Sequence, residues 1–78
     1  MQNIIPDITL DLRGIACPLN FVKTKIQLEK MQGGQKLQVF LDSGEAIESV
    51  PPSVIEEGHL ILLIEPLENY FKVLIQKI

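Results

Sequence analysis

Cys17 and Pro18 stand where one sequence pattern gives way to another. Before them, residues 8–12 alternate apolar and polar side chains, the period of a half-buried strand, and Gly14 then breaks the pattern. After them, residues 18–32 carry apolar side chains at helical spacing and end at a pair of glycines. Because proline is tolerated at the first position of a helix, the sequence predicts a helix that begins at Pro18 with Cys17 as its N-cap.

The rest of the chain supplies four more elements. We predict a strand over 35–42, a second helix over 43–58 that breaks at Pro51-Pro52, a buried strand over 59–64 and a last strand over 70–78. The short connection between the last two strands favours an antiparallel hairpin. The expected fold class is therefore α/β (α+β), a single domain over 1–78 with the order β-α-β-α-β-β. Its two helices should pack on one face of a four-stranded mixed sheet, as a two-layer sandwich.

Two stripes of apolar residues run along the predicted first helix. One consists of Phe21, Leu28 and Met31, and the other of Leu19, Val22 and Ile26. We expect the first stripe to face the core because it runs the whole length of the helix. The second should remain partly exposed beside the cysteine as a partner-contact surface, although burial of both stripes is the alternative.

Cys17 is the candidate reactive residue. The positive end of a helix dipole lowers the pKa of a nearby thiol and favours the thiolate, and Arg13 is a cation close in sequence. A lone cysteine is also often a small buried apolar residue, so both interpretations stay open. His59, the only histidine, follows the second helix, where an exposed or capping role is expected, and nothing in the sequence brings it to the thiol.

The composition of the chain excludes or disfavours several classes of function. A chain with one cysteine has no internal disulfide or Cys-x-x-Cys pair, and one Cys with one His falls short of a structural metal site. The net charge of -3 argues against stable nucleic-acid binding. Residues 1–7 do not have the pattern of a signal peptide, and the apolar run 60–64 is too short to cross a bilayer. We therefore expect a cytoplasmic protein with no membrane partner.

The segment Leu10-Asp11-Leu12-Arg13-Gly14-x-x-Cys17-Pro18 resembles the opening signature of the TusA/SirA-like sulfur carrier family. The glycine pair at the exit of the first helix, Asp42 after the second strand and Val50-Pro51 are also similar. The resemblance implies a β-α-β-α-β-β fold and a Cys17 that carries sulfane sulfur as a persulfide. It implies protein partners, a cysteine desulfurase or rhodanese-type donor and a protein acceptor, and no cofactor. The alternatives are a non-catalytic regulatory or protein-interaction module and a redox-sensing thiol.

The chain departs from the family pattern at position 20. The family has Cys-Pro-x-Pro, whereas this chain has Cys17-Pro18-Leu19-Asn20. If Cys17 is the N-cap, Asn20 is the third helical residue and its backbone N–H can donate to the N-cap side chain, which a proline cannot do. We expect Pro18, Asn20 and Arg13 to support the Cys17 thiolate or persulfide.

Overall fold

The computed structural model describes residues 5–16 and 18–78. The elements are β1 (Ile8–Asp11), α1 (Leu19–Lys30), β2 (Lys36–Asp42), α2 (Glu45–Glu56), β3 (Leu60–Pro66) and β4 (Tyr70–Gln76). The predicted order β-α-β-α-β-β is therefore confirmed. No helix within the described ranges is long and apolar enough to cross a membrane.

The four strands form one mixed sheet in the order β1-β2-β4-β3. β1 runs parallel to β2, and α1 makes the crossover that a parallel pair requires. β4 pairs antiparallel with both β2 and β3, so the predicted hairpin of β3 and β4 is confirmed. Because β1 and β2 are parallel, their carboxyl ends meet at one edge of the sheet, and the segment leading to Cys17 leaves from that edge.

The core lies between the helices and one face of the sheet. Its buried side chains are Leu12, Leu28, Met31, Leu37, Val39, Leu41, Ala46, Val50, Val54, Val73 and Ile75. The alternating residues of β2 supply its centre, since Leu37, Val39 and Leu41 are all fully buried. The predicted two-layer sandwich is confirmed.

The two apolar stripes of α1 have the predicted environments. Leu28 and Met31 are buried, and Phe21 is half-buried against the core. The other stripe faces away from the core and is described with the site below. Helix α1 is shorter than predicted, since it begins one residue later and ends two residues earlier than residues 18–32.

The prediction of a broken second helix is wrong. α2 is continuous through Pro51 and Pro52, and its N-cap is Gly44. A proline inside a helix removes a hydrogen bond and costs about 3 kcal/mol. Burial of Val50, Pro51 and Val54 in the core offsets that local cost.

The prediction of a buried strand over 59–64 is also wrong. β3 is an edge strand, and Leu60, Leu62, Leu63 and Ile64 are all exposed by more than a third. The buried strand is β4, where three successive residues, Val73–Ile75, are at most 3% exposed. An apolar run alone does not distinguish a strand at the edge of a sheet from one at its centre.

His59 forms a hydrogen bond with the C-terminal segment. Its Nδ1 accepts a hydrogen bond from the Ile78 N–H at 3.2 Å, which requires that nitrogen to be unprotonated. Burial, followed by the nearby charge of Lys77, lowers the pKa of His59 below its usual 6.5. This bond adds to the backbone hydrogen bonds of Lys77 with Gly34 and Gln35, which also hold the C-terminal segment.

Candidate functional site

A tight turn leads from the sheet toward Cys17. Leu12 follows β1, is 3% exposed, and donates its N–H to the Phe40 carbonyl of β2 at 3.0 Å. The Ile15 N–H donates to the Leu12 carbonyl at 3.2 Å, and Gly14 has φ of 80°. That conformation is unfavourable for residues with a side chain, which explains the glycine. The turn is thus anchored to the centre of the sheet by the residue before it.

Asp42 is a site residue that the sequence analysis noted only as part of the family resemblance, with no role assigned to it. It is the last residue of β2, and its Oδ2 accepts a hydrogen bond from the Gly14 N–H at 2.6 Å. This bond joins the turn before Cys17 to the carboxyl end of the neighbouring strand. The feature that could have indicated this contact is the parallel pairing of β1 and β2, because it brings the carboxyl ends of both strands to the same edge of the sheet.

The start of α1 differs by one position from the prediction. Pro18 is the N-cap, with φ of −94° and ψ of 7°, rather than the first helical residue. The Val22 N–H donates to the Pro18 carbonyl at 3.0 Å and closes the first turn. Cys17, the predicted N-cap, lies outside the described residues, so its thiolate role stays a prediction.

Asn20 makes a different contact from the one expected. Its backbone N–H donates to the Ala16 carbonyl at 3.2 Å, which corrects the expected use of this N–H for an N-cap side chain. The side chain is 1% exposed, and its Oδ1 accepts from the Phe21 N–H at 2.7 Å. Its Nδ2 is buried and makes no hydrogen bond to any of the residues described. Because the Phe21 N–H requires an acceptor, it fixes which end of the amide is the oxygen.

Arg13 is held on the face of the sheet opposite the helices. Its Nε donates to Asp11 Oδ1 at 2.9 Å and its Nη2 to Asp11 Oδ2 at 2.8 Å, and the guanidinium lies 4.5 Å from the centre of the Tyr70 ring. The hydrogen bond from Arg13 lowers the pKa of Asp11 to about 2. The charge of Arg13 is therefore already paired and stacked, and its support of the Cys17 thiolate remains a prediction.

Leu19, Val22 and Ile26 form an exposed apolar strip along α1 beside the cysteine segment. Their exposed fractions are 57%, 41% and 47%, which confirms that this stripe is not buried. The strip begins two residues after Cys17. Its geometry suits contact with a protein, and its use as a contact surface remains a prediction.

A pocket of about 270 Å³ borders the segment that contains Cys17. Its polar lining residues are Asn20, Asp42, Ser43 and Glu45. Ile15 and Ala16 close it on the side of the turn, and Ala46 closes it on the side of α2. Among the described residues that line the pocket, two are carboxylates and none is a cation. The described side chains also include no group of three or more His, Cys, Asp or Glu placed to hold a metal ion.

The sequence and the fold of this chain were compared with those of known proteins, and both have relatives. Residues 8–77 match the family model described as Sulfurtransferase TusA. A protein of Archaeoglobus fulgidus named "Putative sulfur carrier protein" is 44% identical over 69 residues, which cover 87% of this chain and 78% of the relative. YedF of Escherichia coli (strain K12), which carries the same description, is 32% identical over 77 residues that cover 99% of this chain and all of the relative. The crystal structure of a SirA-like protein from Desulfitobacterium hafniense superposes with a TM-score of 0.77 at 21% identity, over 88% of this chain and 95% of the other, which shows the shared fold.

Proposed function

Since the chain belongs to the sulfurtransferase TusA family, we propose that it is a sulfur carrier that holds sulfane sulfur on Cys17 and passes it to a partner protein. The observation that carries this proposal is the position of the only cysteine in the sequence, between Ala16 and Pro18 at the N-terminal end of α1. Unpaired N–H groups and the helix dipole make this end of a helix favourable for an anion. A thiolate and a persulfide anion both gain from that field.

The loading step is a displacement at sulfur. The Cys17 thiolate attacks the terminal sulfur of a donor persulfide, the donor's S–S bond breaks, and the donor leaves as a thiolate. The product is a persulfide on Cys17, whose terminal proton passes to solvent. In the unloading step, a nucleophile of the acceptor attacks the terminal sulfur and restores the Cys17 thiolate. Both steps conserve electrons, so neither needs an external oxidant or reductant.

The expected donor is a cysteine desulfurase or a rhodanese-type protein, and the acceptor is a second protein. The donor must bring its persulfide, and the acceptor its nucleophile, to the exposed start of α1. The apolar strip of Leu19, Val22 and Ile26 is the proposed docking surface, because it is exposed and begins next to the cysteine segment. Asn20 and Pro18 are proposed to support the thiolate through the conformation of the helix start.

Sulfur loading tests the proposal directly. The protein is incubated with a cysteine desulfurase and cysteine, or with a rhodanese and thiosulfate, and its intact mass is measured. We expect one added sulfur atom in the wild type and none in Cys17→Ser. Cyanide then removes sulfane sulfur as thiocyanate, which a disulfide-linked adduct does not yield. Adducts without thiocyanate would favour the redox-sensing thiol, and no uptake from any donor would favour an interaction module.

The docking surface has a matched control. Leu19 on α1 and Ile55 on α2 are both 57% exposed apolar residues. We expect Leu19→Ser to slow sulfur transfer from the donor enzyme without changing the rate at which iodoacetamide alkylates Cys17. Ile55→Ser should change neither rate. An equal effect of both substitutions on transfer would contradict a docking role for the strip.

A further inference from the structure

We propose that the pocket lined by Ala16 and Asn20, the described residues on either side of the Cys17-Pro18 segment, is a recognition subsite for a cationic side chain next to the reactive cysteine of the partner protein. This inference rests on the proposed sulfur-carrier function, because it names the chemistry of the partner that reaches Cys17. The partner segment is a basic peptide whose Lys or Arg side chain lies against Asp42 and Glu45. One of its backbone carbonyls accepts a hydrogen bond from Asn20.

The charges around the pocket favour a cation. Asp42 and Glu45 both line it, and none of the described lining residues carries a positive charge. Arg13, the nearest cation to the turn at the pocket, is bonded to Asp11 through two nitrogen atoms, and its charge interacts more weakly with Asp42. A positive group entering the pocket therefore meets two carboxylates that have no competing lining cation among the described residues.

The start of α2 does not reverse this preference. The N-cap of α2 is Gly44, and the dipole of the helix alone would favour an anion at this end. Glu45 and Glu48 occupy the first turn and supply negative charge at the same place. Only Glu45 of the two lines the pocket. The positive end of α2 is therefore already compensated within the helix.

Asn20 gives the independent indication of a ligand. Its side chain is 99% buried, lines the pocket, and has an Nδ2 that donates to no described residue. Its Oδ1 is already held by the Phe21 N–H, so Nδ2 is the group left for a ligand. Buried amide donors are almost always satisfied. A peptide segment can satisfy both groups. Its backbone carbonyl can accept a hydrogen bond from Nδ2, and its basic side chain can pair with the carboxylates.

Thiol–disulfide exchange with short peptides measures this selectivity without a donor enzyme. The probes are homodisulfides of N-acetyl-Lys-Cys-amide, N-acetyl-Gln-Cys-amide and N-acetyl-Glu-Cys-amide. The Cys17 thiolate attacks one sulfur of the probe, its S–S bond breaks, and one peptide leaves as a thiolate. Each rate constant is divided by that of the same variant with iodoacetamide, which removes differences in thiolate reactivity.

We expect the rates to fall in the order Lys, Gln, Glu at low ionic strength. Glu45→Gln should lower the Lys-to-Gln rate ratio about fivefold, the effect of one charge pair about 4 Å apart in a hydrated site. Asp42→Asn should act similarly while keeping an oxygen for the Gly14 N–H. Glu48→Gln is the matched control, because it removes the same charge from the same helical turn outside the pocket. It should change the ratio by less than about twofold, and about 1 M salt should abolish the selectivity in every variant.

The amide contact is tested separately. Asn20→Leu should slow exchange with all three probes by a similar factor and leave their order unchanged, since it removes a donor and no charge. Equal ratios in wild type, Glu45→Gln and Glu48→Gln would overturn the cation subsite, and unchanged rates in Asn20→Leu would overturn the amide contact. Neither result depends on sulfur loading, whose own failure is seen in the thiocyanate assay.

Discussion

Asn20→Leu is expected to make the protein more stable. The wild-type side chain buries an Nδ2 without a partner among the described residues, and such a group costs about 1–3 kcal/mol. The substitution removes that cost, loses the Oδ1 bond from the Phe21 N–H, worth about 1 kcal/mol, and gains about 0.5 kcal/mol of helix propensity. The larger side chain has room because position 20 borders the pocket of about 270 Å³. The net expectation is a gain of about 0.5–2.5 kcal/mol in the free energy of unfolding.

Urea denaturation followed by circular dichroism measures this change. With a slope of about 1 kcal/mol per molar urea, typical of a small protein, the midpoint should rise by about 0.5–2.5 M. Lys23→Leu on the exposed side of the same helix controls for the introduction of a leucine and should change the free energy by less than about 0.5 kcal/mol. A loss of more than about 1 kcal/mol in Asn20→Leu, with an unchanged slope, would refute the reasoning. It would mean that Nδ2 is bonded in solution and contributes to stability.

Three further predictions concern individual side chains. The pKa of Asp11 is lowered to about 2, so the stability from its pair with Arg13 is complete above pH 3.8 and is lost as the pH falls through about 2. Carbon NMR of the carboxyl group should show the pKa returning toward 3.8 in Arg13→Gln, and an unchanged pKa would contradict the assigned cause. His59 has a lowered pKa, so stability should fall as the pH drops below 6.5 toward that pKa, with loss of the bond from Ile78. Imidazole NMR titration checks the direction, and denaturation of His59→Gln should lack this slope. Pro52→Ala restores an N–H at an exposed position of α2. The free energy of unfolding, measured by urea denaturation, should therefore rise by about 2 kcal/mol. A loss of stability would show that the conformation of α2 requires the proline ring.

Local patterns in the sequence were sufficient for the order of elements and for the faces of α1. The strand predicted over 35–42 is confirmed as β2, and its alternating residues Leu37, Val39 and Leu41 are all in the core. The period of α1 separated Leu28 from Ile26, which are 1% and 47% exposed. These features were predictable because each depends on the period of a single element rather than on contacts between distant elements.

The errors arose where distant contacts outweighed local preference. Pro51 and Pro52 favour a break, but burial of Val50 and Val54 on the sheet keeps α2 continuous. The apolar run at β3 lies at an edge because β4 occupies the position beside β2, and pairing order cannot be obtained from hydrophobicity.

The sequence predicted only the part of the candidate site that lies around Cys17 and along α1. Asp42 and Glu45 are distant from Cys17 in sequence, and they line the neighbouring pocket only because β1 and β2 are parallel and end at the same edge. Asn20 was singled out for its backbone N–H, whereas its buried side chain proved to be the distinctive feature. Its burial depends on the packing of α1 against the rest of the protein, which local sequence does not specify.

The position of β4 between β2 and β3 has a consequence for synthesis of the protein. Residues 70–76 are made last among the strands, yet they pair with both β2 and β3. A nascent chain that ends before Tyr70 has only β1 and β2 available as sheet neighbours, and β3 has no partner. Because protein domains generally fold as units, we expect the nascent chain to remain without its sheet until β4 leaves the ribosome. Until then, the apolar residues of β2 and β3 are open to chaperones and to aggregation.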